Sequence, residues 1–149
     1  MSKAICLATR AGELGEIPVG AVIASGGEIV GCGYNVRESG GDPLGHAEIN
    51  AIRSACSLRG DRFLRGCAIY VTLEPCPMCA GAILESGISR IVFGASDFKY
   101  GACGGLMNVI DYPGSPKRAV VKGGVMEKEC RELLQNFFKR IRKDKWRDG

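Results

Sequence analysis

The sequence predicts a three-layer α/β domain built around a mixed sheet of about five strands. Three observations carry that expectation. An opening β-hairpin gives way to strands alternating with helices, the order expected when parallel strands are added to an antiparallel pair. The chain has 149 residues, 46% of them apolar, which suits one domain with a buried core. Its last helical segment carries a single apolar stripe, so it must lie against a packed layer. No repeat, low-complexity tract or Pro-rich linker divides residues 1–149, and one domain is expected.

The elements follow in order. Residues up to about Leu14 read as a helix, with Ile5, Leu7 and Ala8 as its apolar stripe. PVGAVIASGGEIVGCGYN reads as a hairpin, with Ser25-Gly26-Gly27 supplying the positive φ of a tight turn. ESGGDPLG is loop. From His46 onward, Ile49, Ile52 and Cys56 recur at helical spacing and predict the buried face of a second helix. CAIYVTL (67–73) reads as a buried strand, and a helix follows from Pro75 to about Ser86. ISRIVFGA (88–95) and RAVVKGG (118–124) read as further strands. In the last helix Cys130, Leu133, Leu134, Phe137, Phe138 and Ile141 fall on one stripe, which makes both phenylalanines core residues.

Composition excludes several classes. Charged residues at 24% argue against disorder. No apolar run approaches the ~20 residues of a membrane span, and the N-terminus lacks the apolar h-region of a secretory signal. A cytoplasmic protein is expected. Eight cysteines in 149 residues are too few for a small disulfide scaffold, and most fit the reading of buried thiols in a reducing compartment. The net charge of +4 is uneven. From residue 139 to the end, six basic residues (Lys139, Arg140, Arg142, Lys143, Lys145, Arg147) face two acidic ones, and the rest of the chain is neutral. A solvated helix end accounts for such a run, and so does a polyanionic partner.

The chemistry lies in three short pieces: His46-x-Glu48, Glu74-Pro75-Cys76 and Cys79. Cys76 and Cys79 stand three apart at a predicted helix start, so both thiols lie on one face of the first turn, at the positive end of the helix dipole. That placement favours thiolates. One imidazole and two thiolates select Zn²⁺ over Mg²⁺ or Ca²⁺. The chain has a single histidine, which excludes a His₂ or His₃ zinc site. Glu48, two residues past His46, points elsewhere on a regular helix. It can share a site with His46 only in front of the first turn, where it can serve as a base beside the metal. A CxxC alone would suit a structural zinc knuckle closed by Cys67 or Cys103, or ordinary core thiols. The added H-x-E at a second helix start favours three ligands and an open position, the catalytic pattern. H-x-E…P-C-x-x-C is the signature of the zinc nucleobase deaminases.

The segments IPVGAV, GYN, DPLGHAEINAIR, YVTLEPCPMCAGAI, RIVFGASDFKYGACGGLMNV and FFKRIRK resemble the bacterial-type tRNA-specific adenosine deaminases of the cytidine/deoxycytidylate deaminase superfamily. The resemblance runs from about residue 16 to 143. It implies a cytidine-deaminase-like fold, a homodimer with one Zn²⁺ per subunit, and conversion of the wobble adenosine in an arginine tRNA anticodon stem-loop to inosine. It implies His46, Cys76 and Cys79 as zinc ligands and Glu48 as the proton shuttle. Asn35 would read the flipped base, Val19, Ala47 and Leu73 would wall its pocket, and Asp97 and Lys99 would contact neighbouring nucleotides. Lys139, Arg140, Arg142 and Lys143 are the candidates for the RNA backbone, and one of Phe137 and Phe138 would also border the RNA. Ser96 and Tyr100 depart from the family, standing where an arginine and a threonine are common. A free nucleobase or nucleoside deaminase of the same superfamily, acting on guanine or cytosine, is the alternative. A non-catalytic tRNA binder is a third reading, against which the intact Glu48 argues.

Overall fold

A computed structural model describes the backbone of residues 1–147 and the side chains of residues 1–144. Lys145 and Arg147 of the basic C-terminal run therefore lie outside the described side chains. Five strands form one mixed sheet in the order β2-β1-β3-β4-β5. β1 (Gly20–Ser25) and β2 (Glu28–Tyr34) are the expected antiparallel hairpin, with a bulge between Ile23 and Ala24. β1 also pairs antiparallel with β3 (Ala68–Leu73). β4 (Arg90–Ala95) and the short β5 (Val120–Lys122) then extend the sheet in parallel. Helices α1 (Ser2–Glu13) and α4 (Glu127–Arg147) cover one face; α2 (Ala47–Arg59) and α3 (Pro77–Glu85) cover the other. The three-layer expectation holds. Among the described residues no helix is long and apolar enough to cross a membrane.

The helix faces differ from the sequence reading in one instructive way. The buried stripe of α2 is Ala47, Ala51 and Ala55, and Ile52 and Cys56 are left at the edge of the core. Glycines in β2 explain this. A Cβ on Gly33 would fall 2.2 Å from the Ala47 carbonyl oxygen, and one on Gly31 would fall 2.6 Å from that of Ala51. The helix backbone lies directly on the strand, so only alanines fit between them. α1 does the same on β1, and buries Ala4, Ala8 and Ala11 rather than Ile5 and Leu7. Close docking fixes α2, and with it the position of its first turn. In α4, Cys130 and Phe137 are buried as expected, whereas Phe138 is 43% exposed. Phe138 is therefore not a core residue.

Candidate active site

The first turns of α2 and α3 meet beyond the ends of β1 and β3. His46 is the N-cap of α2 and Cys76 the N-cap of α3, both with extended backbone (φ −76°, ψ 149° and φ −72°, ψ 171°). An N-cap residue leaves the helix before the helical repeat begins. That is how His46 and Glu48, two apart, serve one site. Pro77 takes the first helical position of α3, where the missing N–H costs nothing. Cys79 lies one turn in and is fully buried.

His46 Nδ1 lies 3.7 Å from Cys76 Sγ and 3.5 Å from Cys79 Sγ. The three donor atoms lie within 4.8 Å of one another. With Zn–N and Zn–S bonds of ordinary length at a tetrahedral angle, the N···S separation is about 3.6 Å. The residues fit zinc. The Cys76 thiol is held down to about 4, first by the hydrogen bond from Cys79 and then by the one to His46. Cys79 is pushed up by that shared hydrogen bond and by burial, and His46 is raised by its bond to Cys76. The set thus holds protons that a cation would displace. Burial, aided by the negative charge of Cys76, pushes the Glu48 carboxyl up to about 7. Among the described residues no fourth donor joins the group. Cys67 lies at the far end of β3 and accepts a hydrogen bond from Arg59, and burial raises the Cys103 thiol to about 12.

Of this set His46 and Cys76, together with Glu48, form part of the wall of a cavity of about 1000 Å³. Val19, Asn35, Leu73, Asp97 and Lys99 line it, as the sequence reading expects. Asn35 is fixed from both sides: its Nδ2 donates to the Ile17 carbonyl (3.1 Å), and its Oδ1 accepts from the Ala47 N–H (2.9 Å). Ala47 is a correction. Its side chain is fully buried in the core and does not line the cavity, and its N–H serves to hold Asn35. The cavity also takes in Arg37, Glu74, Phe98, Tyr100, Leu134 and Phe138. Of the basic candidates, Lys139 and Arg142 line an adjoining groove on α4. Arg140 instead turns back to α1, where it donates to the Gly12 carbonyl at 2.8 Å. Lys143 is exposed.

Two buried carboxylates hold the loops that frame the cavity, and sequence reasoning did not find either role. Glu74 accepts from the N–H groups of Asp97 (2.9 Å), Cys103 (3.0 Å) and Gly105 (2.7 Å). The loop wraps so tightly that a Cβ on Gly101 or Gly105 would fall 2.5 Å from Glu74 Oε2. Glu74→Gln puts an amide N–H against at least one of these donors. We expect it to cost about 1–3 kcal/mol of stability and to lower kcat/KM on RNA while zinc is retained. Unchanged thermal denaturation would contradict this.

Glu16 does the same for the loop after β2. It accepts from the Arg37 and Glu38 N–H groups and from both the N–H and hydroxyl of Ser39, at 2.7–3.2 Å. Burial pushes its carboxyl up, but the bonds from Ser39, Glu38 and Arg37 outweigh this and hold it below 4.5. A lowered folded pKa contributes stability above the unfolded value and loses it as pH falls. Wild-type melting temperature should therefore drop more steeply below pH 4.5 than that of Glu16→Gln. Parallel curves would contradict the assignment.

The sequence profile of the cytidine and deoxycytidylate deaminase zinc-binding region matches residues 1–95, a span holding all three donors and Glu48. The chain belongs to this family. The deaminase sequence is 45% identical over 145 residues to the tRNA-specific adenosine deaminase of Bacillus subtilis (strain 168), covering 97% of this chain and 90% of that protein. It is 44% identical over 146 residues to the tRNA-specific adenosine deaminase of Haemophilus influenzae, covering 97% and 84%. A solved structure from a study of A-to-I editing by tRNA:A34 deaminases superposes with a TM-score of 0.85 at 39% identity, covering 90% of this chain and 97% of that one. The family's zinc-binding region and the His/Cys₂ geometry together point to zinc as the metal.

Proposed function

We propose that this chain is a hydrolytic deaminase that converts adenosine to inosine at the wobble position of a tRNA anticodon, an arginine tRNA being the expected substrate. The observation that carries this reading is the open three-donor site beside a buried carboxyl at one cavity. The tRNA deaminase relatives at 45% and 44% identity supply the substrate class. In this reading residues 1–149 act as one domain, in a cytoplasmic homodimer with one zinc per subunit.

His46, Cys76 and Cys79 would hold the zinc, which supplies Lewis acidity and an open fourth position when bound. Glu48, with its carboxyl raised to about 7, can both accept and release a proton near neutrality. It takes a proton from the attacking water and passes one to N1 of the adenine. It then takes the proton of the hydroxyl now on C6 and passes it to the amine, which leaves C6 as ammonia, so that adenosine and water give inosine and ammonia. Asn35, with one amide hydrogen beyond its bond to Ile17, orients the base. Val19 and Leu73 wall the base in, and Lys139, Arg142 and Lys143 meet the phosphates. The base must leave the loop stack to reach the site, a cost that is lowest in an already unpaired loop.

The test is incubation with an anticodon stem-loop carrying adenosine at the wobble position, followed by nuclease digestion and nucleoside analysis. Inosine at that position is expected. Its absence with zinc-loaded protein would contradict the reading.

A further inference from the structure

Phe98 and Tyr100 are 74% and 58% exposed, yet both line the catalytic cavity. Resting on the function proposed above, we propose that these two rings form a stacking platform for the unpaired bases that flank the target adenosine.

Their backbone is not loose. Residues 98–100 form a turn that follows β4. Asp97 Oδ1 accepts from the Lys99 N–H (2.9 Å) and the Tyr100 N–H (3.0 Å). The Asp97 carbonyl accepts from Gly101 (2.8 Å), and the Asp97 N–H is itself anchored on buried Glu74. The turn therefore presents two aromatic rings to solvent from a preorganised backbone. Such rings bind flat apolar surfaces at little conformational cost, and unstacked nucleobases offer them. The Asp97 Oδ1 bonds also give that residue a local role, holding the platform, beside any contact with RNA.

Charge and continuity select a nucleic acid as the occupant. Lys99 Nζ lies 5.1 Å from the Tyr100 ring centroid, and Arg37 lines the same cavity. Leu134 and Phe138 line both this cavity and the α4 groove that carries Arg131, Lys139 and Arg142. Aromatic rings beside the reacting base, with a cationic groove leading away from it, form the arrangement that follows a single strand. The cavity, at the upper end of the roughly 300–1,000 Å³ usual for ligand pockets, also has room for more than one base.

The test compares Phe98→Ala, Tyr100→Ala and the double variant with the aromatic swaps Phe98→Tyr and Tyr100→Phe. The probes are a wobble-adenosine stem-loop and the same loop with the 5′ or 3′ neighbour of the adenosine made abasic. Each alanine should lower kcat/KM on the intact loop about tenfold, within the range for loss of one base stack. The aromatic swaps should stay within about twofold of wild type. On the loop lacking the matching base, alanine should add little further loss. Alanine variants at wild-type rates would overturn the platform, and so would an equal loss on intact and abasic loops. A loss that tracks dissociation of an oligomer in sedimentation would also overturn it, because the rings would then meet a second copy of the chain. Wild-type protein forming no inosine in either loop would overturn the functional reading and this inference together. An active wild type with unaffected variants would overturn this inference alone.

Discussion

Glu48→Ala should bind as much zinc as the wild type and lose at least about 10³-fold in turnover, or roughly 4 kcal/mol of transition-state stabilisation. Glu48 is not one of the three donors His46, Cys76 and Cys79, so its removal leaves the ligand set itself complete. It is, however, the buried carboxyl adjacent to them, raised to about 7. Metal analysis and single-turnover inosine formation on the same sample separate the two effects. Zinc retained with activity lost is the expected pair. Zinc lost would make Glu48 a ligand, and both retained would remove it from the proton path.

Cys79→Ala should have the opposite signature: metal content falling to near zero after dialysis against a chelator, with activity at background. Cys79 is one of only three donors among the described residues, and no neighbouring group replaces it. Cys76→Ser should weaken zinc in the same direction, because a hydroxyl is a harder and less acidic ligand than a thiol. Cys67→Ala and Cys103→Ala should keep the metal. Cys67 accepts from Arg59, and Cys103 stays protonated well above neutrality. Loss of zinc in either variant would mean a closed four-ligand site and a structural metal.

The metal set was legible because its chemistry forces a spacing. One histidine in the whole chain, a C-x-x-C and an H-x-E leave few arrangements, and the N-cap positions of His46 and Cys76 realise the one expected. The hairpin and the alternation of strands and helices were legible for the same reason, since turn chemistry and period are local. Close packing was not. The α2 face read from Ile49, Ile52 and Cys56 assumes that large residues fill the core, but Gly31 and Gly33 bring the helix backbone onto the sheet and leave room for alanine alone. Phe138 misleads in a similar way: it lies at the edge of the stripe beside buried Phe137 and borders the cavity instead of the core. Glu16 and Glu74 leave no sequence signal, because they bind backbone N–H groups that any residue supplies. The exposure of Phe98 and Tyr100 likewise depends on a turn that only the folded loop defines.

The central claim is that this site was built for an adenosine in an RNA loop and not for a free base. It is tested most directly by comparing kcat/KM for inosine formation in the anticodon stem-loop with kcat/KM for ammonia release from free adenosine, guanine and cytosine, using one zinc-loaded preparation. Rapid deamination of the stem-loop is expected, weakened by added salt as phosphate contacts are screened, with little or no turnover of the free compounds. Efficient, salt-insensitive turnover of guanine or cytosine, with the stem-loop left intact, would contradict it.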